Sequence, residues 1–188
     1  MPELALPIET ERLRLRRFAR EDVAALHAIQ SREDVTRWLP WGPRSEDDVR
    51  ASIESHNAIA PDDGVVLAVE HDGELIGTVN LQVGEHRQGE IGYVLHPDHH
   101  GRGFATEATA ALLALAFETY GLHRVCGRME PRNEASARVL ERLGMRREAH
   151  LIENELVRGE WQSEAIYALL AREWREELAE RRSSARRS

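Results

Sequence analysis

Apolar and polar residues alternate in the middle of the chain, and this pattern predicts strands. Residues 65–70 are rich in β-branched side chains, and Asp72-Gly73 behind them is a strong signal for a two-residue hairpin turn. The next segment returns with strict alternation, and a looser turn leads to a third apolar segment, 90–95. The pattern therefore predicts three consecutive antiparallel strands. One face of the middle strand holds Leu75, Gly77, Val79, Leu81 and Val83, and the other holds Ile76, Thr78, Asn80 and Gln82.

The segments on either side of these strands are predicted to be mostly helical. Ahead of them, Leu13, Leu15 and Phe18 indicate a first strand, residues 21–31 repeat apolar positions at helical spacing, and Ser45 before three acidic residues predicts a helix N-cap. Behind them, two helices should end at glycines and alternate with strands. The helices are predicted over 104–120 and 133–143, and the strands over 124–129, 146–156 and 160–171.

This order of elements predicts an α/β fold. We expect a single domain over residues 1–175, built on one mixed, mostly antiparallel sheet of six to seven strands with helices on both faces. The last eight residues contain four arginines and no acidic residue, so the segment 176–188 is expected to be an arginine-rich, frayed tail.

Composition narrows the classes of function. The chain has 188 residues and a formal net charge of −8, and all of its 25 basic residues are arginine. So acidic a body is a poor general binder of nucleic acid and better suits a cationic or amine-bearing partner. Cys126 is the lone cysteine, and the chain shows neither a signal peptide nor an apolar run of roughly 18 residues. We therefore expect a cytoplasmic protein without direct membrane or nucleic-acid contact.

The segment between the third strand and the next helix carries the clearest chemical signal. Pro97 ends the strand, and Gly101 and Gly103 precede the helix, with Arg102 between them. Glycines let the backbone approach an anion, and the free N–H groups of a helix N-terminus attract it, so this turn is suited to a phosphate. The alternative is a tight turn without a ligand. A P-loop is excluded because the chain has no lysine, and Thr106 stands where a dinucleotide fingerprint needs its third glycine.

The segment His100-Gly101-Arg102-Gly103-Phe104-Ala105 resembles the acetyl-CoA pyrophosphate loop of the GNAT superfamily of N-acetyltransferases. That loop has Gln or Arg, two residues, Gly, one residue, then Gly or Ala, and His100 departs from it at the first position. A second segment, with Asn133, Ser136 and Gly144-Met145, resembles the family's next motif, although Met145 replaces the usual aromatic residue. The closest resemblance is to the Rim-type ribosomal-protein N-terminal acetyltransferases, through residues 9–16, the Trp38/Trp41 loop and residues 90–95.

The resemblance implies a GNAT-type domain, acetyl-CoA as cosubstrate, and direct attack of an acceptor amine on the acetyl thioester. A backbone N–H near Leu95 would stabilise the oxyanion, because the central strand of this fold splays from its neighbour. Many family members use a tyrosine as the acid near the Asn-x-x-Ser helix, but this chain has none between Tyr120 and Tyr167. The residues that the resemblance assigns to the cofactor are Val94, Leu95, His100, Gly101, Arg102, Gly103, Phe104, Ala105, Thr106, Asn133 and Ser136.

Ser136 is the candidate acid for the leaving thiolate, and the alternative is an ordinary serine on a helix surface. Asn133 suits an N-cap, a role compatible with facing the cofactor. For binding the amine or accepting its proton the resemblance favours Glu155, and a shift in alignment would exchange it with Glu153. Glu90 on the central strand is the other candidate, and all three could be solvated carboxylates.

Trp38, Trp41 and Asn80 are predicted to contact the acceptor substrate. The Trp loop could instead fold onto the core or form a homodimer contact. His96, His99 and His100 are close in sequence, but Pro97 and the glycines exclude a helix that would fix them as ligands, so we expect no metal.

The leading function is an N-acetyltransferase for a primary amine, either a protein or peptide N-terminus or a small molecule. One alternative is a non-catalytic acyl-CoA-binding sensor on the same scaffold. Another is an antibiotic-modifying acetyltransferase, because an acidic body would also attract a polycationic drug.

Overall fold

An eight-stranded sheet forms the centre of the computed structural model, which describes residues 4–176 and 179. Neighbouring strands follow the order β1-β2-β3-β4-β5-β6-β8-β7, and every pair is antiparallel except β5–β6. The strands are β1 (Ile8–Glu9), β2 (Arg14–Arg16), β3 (Gly64–His71), β4 (Glu74–Val83), β5 (Gln88–Leu95), β6 (Arg124–Met129), β7 (Arg146–Val157) and β8 (Glu160–Leu170).

Helices cover both faces of this sheet. Ala68 on β3 packs in a cluster with Phe18 and with apolar residues of the N-terminal helices, whereas its neighbours Leu67 and Val69 belong to the larger cluster on the opposite face with the C-terminal helices. In chain order the helices are α1 (Val23–Gln30), α2 (Glu33–Thr36), α3 (Glu46–Ala58), α4 (Phe104–Ala114), α5 (Glu134–Arg142) and α6 (171–176). No helix in the described part of the chain is long and apolar enough to cross a membrane.

The predicted fold class is confirmed, with a few differences in detail. The sheet has eight strands rather than six to seven, because the two-residue β1 is too short to show any periodicity. Phe18 lies outside β2 and packs in the core beside α1. The helix predicted over 104–120 is α-helical to Ala114 and continues as a π-helical turn, Leu115–Thr119. Except for residues 176 and 179, the arginine-rich tail lies outside the described residues.

The splay of the central strand positions the site. Pairing between β5 and β6 runs from Gln88–Arg124 to Ile91–Gly127 and stops there. β5 continues to Leu95 against β4, while β6 continues to Met129 against β8. The last four residues of β5 thus have a strand partner on one side only. The two strands diverge into a wedge that opens toward the loop before α4.

Candidate active site

The backbone of β5 presents polar groups to this wedge. The His96 N–H donates a hydrogen bond of 2.8 Å to the Ile76 carbonyl on β4. Because backbone groups alternate between the two edges of a strand, the N–H groups of Tyr93 and Leu95 point to the opposite edge, into the wedge. The His100 ring closes one end, since its Nε2 lies 3.0 Å from the Leu95 carbonyl oxygen. His100 therefore links the loop to the end of the strand.

The loop before α4 has the geometry of an anion site. Gly101 and Gly103 have φ values of +73° and +83°, which favour glycine, and Gly103 is the N-cap of α4. The first N–H groups of the helix have no acceptor within the helix. The hydroxyl of Thr106 is buried and has no hydrogen-bond partner among the residues described. A phosphate would satisfy these donors, so the residues present fit the pyrophosphate group of CoA.

Two guanidinium groups lie against the buried Phe104 ring at this loop. Arg102 is 4.6 Å and Arg12 is 4.7 Å from the ring centroid. Arg12 also forms a 2.6 Å ion pair with Glu107 and donates a 3.0 Å hydrogen bond to the Arg102 carbonyl. Partial burial opposes ionisation of Glu107, but hydrogen bonds from Thr10 and Arg12 hold its pKa below the ordinary value. The N-terminal segment thus fastens the loop to the first turn of α4.

A tyrosine from β5 meets the serine of α5. The Tyr93 phenol donates a 3.0 Å hydrogen bond to the Ser136 carbonyl, and its oxygen lies 2.9 Å from Ser136 Oγ. Burial raises the pKa of Tyr93 to about 12, so the phenol keeps its proton at neutral pH. The Asn133 side chain caps α5 by accepting a hydrogen bond of 3.1 Å from the Ser136 N–H. Ser136 is therefore held from both sides.

Carboxylates gather around Arg128 on the face of β5 and β6 that carries the side chain of Glu90. Arg128 lies 3.1 Å from Glu90 and 3.0 Å from the buried Glu164 on β8. Burial raises the pKa of Glu90, and the charges of Glu164 and Glu155 raise it further, against the effect of Arg128. Asn80 lies nearby on β4, and a Cβ on Gly92 would come within 2.6 Å of its Oδ1. Gly92 thus makes room for the Asn80 amide.

Comparisons with known proteins agree with this geometry. The model of the acetyltransferase (GNAT) domain matches residues 12–146. The chain belongs to the GNAT family. The uncharacterized N-acetyltransferase YnaD of Bacillus subtilis is 33% identical over 89% of this chain and 98% of its own length. The structure of a GNAT acetyltransferase from Bacillus anthracis is 31% identical, with a TM-score of 0.82 over 89% of this chain and 99% of that one.

A third relative connects the GNAT fold with its cosubstrate. Mycobacterium smegmatis RimJ, solved in complex with CoA-disulfide, is 27% identical, with a TM-score of 0.77 over 86% of this chain and 83% of that one. The resemblance to Rim-type enzymes and the expectation of an acetyltransferase that uses acetyl-CoA are thereby confirmed.

The Trp loop of this GNAT domain lies beside the tip of the β7–β8 hairpin. Arg158 at the tip is 3.4 Å from the carbonyls of Thr36 and Arg37. Arg132, just beyond β6, lies 5.9 Å from the ring of Trp38. Both Trp38 and Trp41 are half-buried. The loop therefore stands between the end of β6 and the hairpin tip, and its contact with an acceptor stays a prediction.

The structure brings some predicted residues together and separates others. Glu155 is exposed on β7, opposite Gln162. Glu153 lies in the irregular part of that strand with φ +47°, and its N–H donates a 3.0 Å hydrogen bond to Ser163 Oγ. His96 and His99 lie with ring centroids 6.2 Å apart, and within the described residues no group of three or more potential ligands could hold a metal.

Sequence reasoning missed three residues of the site: Tyr93, Arg128 and Glu164. Tyr93 is remote in sequence from the Asn-x-x-Ser helix near which a tyrosine was sought. The alternation in Arg124-Val125-Cys126-Gly127-Arg128 was the signal that could have put Arg128 on one face of β6. Its pairing with Glu164 depends on β8 entering the sheet between β6 and β7, and no local pattern reveals that order.

Proposed function

We propose that this chain transfers the acetyl group of acetyl-CoA to a primary amine by direct attack. The observation that carries the proposal is the wedge at the end of β5, which opens onto the glycine loop at one end and lies beside a carboxylate cluster. Acetyl-CoA supplies an activated thioester, so the protein has to hold it, stabilise the oxyanion, accept the proton of the ammonium group and protonate the thiolate.

In this proposal the backbone of residues 101–106, with Arg102, holds the pyrophosphate. The N–H groups of Tyr93 and Leu95 serve the thioester arm, one at the acetyl carbonyl oxygen and the other at the pantetheine chain. Val94 lines the same strand end, and Asn133 and Ser136 on α5 face the opposite side of the wedge. Support comes from the loop geometry, the unpartnered Thr106 hydroxyl and the interrupted pairing of β5.

In this proposal the carboxylates bind the acceptor amine and accept its proton. Glu155 binds the ammonium group at the exposed edge of the cluster, and Glu90 accepts its proton directly or through water. A raised pKa makes Glu90 a better base than an ordinary carboxylate, which supports this division of roles. The neutral amine nitrogen then forms a bond to the acetyl carbon, and the C–S bond breaks. The leaving sulfur receives a proton from the Ser136 hydroxyl, and the excess proton that the nitrogen still carries after attack is passed back to Ser136, so the serine is restored.

A thiol-release assay with acetyl-CoA and a panel of amines tests the proposal. Turnover should fall by about a hundredfold in Glu155→Gln or Ser136→Ala, in keeping with the usual contribution of a positioned acid or base. CoA binding without turnover on any amine would favour the acyl-CoA sensor instead. Turnover restricted to polycationic drugs would favour the antibiotic-modifying alternative.

A matched pair of glycine variants tests the role of the loop. Gly103→Val should abolish CoA binding, because a side chain there blocks the close approach of the backbone to phosphate. Gly73→Val is the control, since Gly73 has nearly the same φ (+82° against +83°) but lies in the β3–β4 turn. Both variants carry similar backbone strain. Equal loss of CoA affinity in both would contradict a specific role for the loop.

A further inference from the structure

Four arginines lie against the Trp loop, and Arg132 among them pairs with Glu130. We call the other three, Arg37, Arg44 and Arg158, the arginine rim. Arg37 stacks on Trp38 at 4.4 Å and Arg44 stacks on Trp41 at 4.1 Å from the ring centroids. Arg158 reaches the same loop from the tip of the β7–β8 hairpin and lies 3.6 Å from the position of a Cβ on Gly42. The rim therefore joins the Trp loop to the tip of the β7–β8 hairpin.

The rim arginines lack acidic partners. On the strands of the sheet, five of the six arginines pair with a carboxylate, as Arg16 does with Asp22 at 2.7 Å. Within the described part of the chain, no carboxylate lies within 4 Å of the guanidinium groups of the rim. Burial lowers the pKa of Arg44 in spite of the charge of Asp48, so this cation bears a desolvation cost. Arg44 is therefore a partly buried cation without an ionic partner, in a protein of net charge −8.

Stacking explains the orientation of these groups but leaves most of their donors free. A guanidinium carries five N–H donors in one plane, and a tryptophan face satisfies none of them by a conventional hydrogen bond. Arg44 makes one long contact, 3.4 Å to Gln30 Oε1, and Arg158 contacts only backbone carbonyls among the described residues. A carboxylate would match the remaining donors, and a bidentate contact would fix its position.

The hairpin that carries Arg158 at its tip also carries part of the carboxylate cluster. Within β8, Glu160 lies beside the tip, and Glu164, four residues further along, pairs with Arg128. At roughly 3.3 Å per residue, this span is about 13 Å. An extended peptide of the same length has about four residues. A single amino acid is too short to place its amine at the cluster and its carboxylate at the rim.

We propose that the acceptor is a polypeptide amino terminus with an acidic side chain at its third or fourth residue, the amine lying at the Glu90–Glu155–Glu164 cluster and the acid at the arginine rim. This inference rests on the proposed function and narrows its acceptor class. A polyamine fits less well, because a second cation would meet the positive rim. The carboxylate cluster would bind the amino terminus of the peptide, and the arginine rim would bind an acidic side chain further along the same peptide.

Pairs of tetrapeptides that differ only in Asp against Asn test the inference. Asp at the third or fourth position should raise kcat/KM about tenfold over the Asn peptide, and the advantage should shrink in high salt. In Arg37→Gln and Arg44→Gln the Asp/Asn ratio should fall to near one while CoA affinity, measured by calorimetry, stays unchanged. Arg50→Gln is the control, since Arg50 lies on α3 and pairs with Glu46.

A charge reversal sharpens the test. Arg37→Glu should reverse the selectivity and favour a peptide with Lys at the same position, an outcome that a merely structural arginine would not produce. Equal rates for Asp and Asn peptides in the unmodified protein would overturn the inference. So would a preference for free amino acids or polyamines over the tetrapeptides. If no amine is acetylated at all although CoA binds, the proposed function itself fails, and the two failures are thereby distinguished.

Discussion

Tyr93 and Ser136 meet at 2.9 Å between the phenol oxygen and the serine Oγ, although 43 positions separate them in the chain. The pairing joins β5 to the first turn of α5 across the wedge. Because burial raises the pKa of Tyr93 to about 12, the phenol remains a hydrogen-bond donor through the neutral range. Because the phenol donates its one proton to the Ser136 carbonyl, the Ser136 hydroxyl is left to donate its own proton, either to the phenol oxygen or, in the proposed reaction, to the thiolate.

Substitutions at this pair should therefore be non-additive. We expect Tyr93→Phe to lower kcat about tenfold and Ser136→Ala about a hundredfold. The double variant should lose little more than Ser136→Ala alone, because the two residues act together as one hydrogen-bonded pair. Tyr93→Phe should also cost about 1 kcal/mol of stability, the typical net value of a hydrogen bond. Stopped-flow thiol release gives the rates, and urea unfolding gives the stability. Additive rate losses would mean that the two residues act separately.

Gly92→Ala should impair acceptor binding through Asn80. A Cβ at residue 92 would lie 2.6 Å from Asn80 Oδ1, so the amide must move. We expect KM for the acceptor to rise several-fold while the affinity for CoA stays constant. In an Asn80→Ala background the same Gly92→Ala change meets no amide, and its additional effect should largely vanish. A full effect in that background would point to a backbone change in β5 instead.

The single thiol of the protein should react slowly. Burial raises the pKa of Cys126, and the negative charge of Glu90 raises it further, so the reactive thiolate is scarce at pH 8. Labelling by an aromatic disulfide should be about tenfold slower than that of a free thiol and should recover on unfolding in urea. Glu90→Gln should accelerate labelling, because it removes a negative charge. Equal labelling rates in both proteins would exclude the influence of Glu90.

The ion pairs of Arg16 with Asp22 and Glu70 should stabilise the N-terminal half at neutral pH. Burial disfavours ionisation of Asp22, but hydrogen bonds from Arg16 and the Ala19 N–H hold its pKa below the usual value of 3.8. This contribution is therefore complete above pH 3.8 and is lost as pH falls through the lower pKa of the folded state. Asp22→Asn should cost about 3 kcal/mol at pH 7. Denaturant titrations at several pH values should show the difference shrinking only below pH 3.8.

Local patterns in the sequence were sufficient for most of the fold. The hairpin at Asp72-Gly73, the cap at Ser45 and the strand Arg124–Met129 each depend on neighbouring residues, and the structure has all three. The glycine turn before α4 was predicted in the same way, because its residues are neighbours in sequence, and Gly101 and Gly103 have positive φ values. Its binding of CoA stays a prediction. The two-residue β1 was missed since it exists only through pairing with β2.

The side-chain partners within the site were not accessible to local reasoning. Arg128 meets Glu164 because β8 enters the sheet beside β6, and the Trp loop meets Arg158 because the hairpin extends beyond the sheet. Such contacts join residues 36 to 122 positions apart. They follow from the order of strands, which the periodicity of any one strand does not encode.

Thr10, Arg12 and Glu107 connect the N-terminal segment to the glycine loop before α4. If this loop binds CoA as proposed, the affinity for CoA should depend on whether the N-terminal segment is docked. By linkage, a ligand that binds only the docked segment stabilises the docking, by about 2.7 kcal/mol at a concentration one hundred times Kd. Saturating CoA should thus slow amide hydrogen exchange around β1 and β2 as well as at the loop. Docking of the N-terminal segment and binding of CoA are therefore coupled, so a measurement of either one also reports on the other.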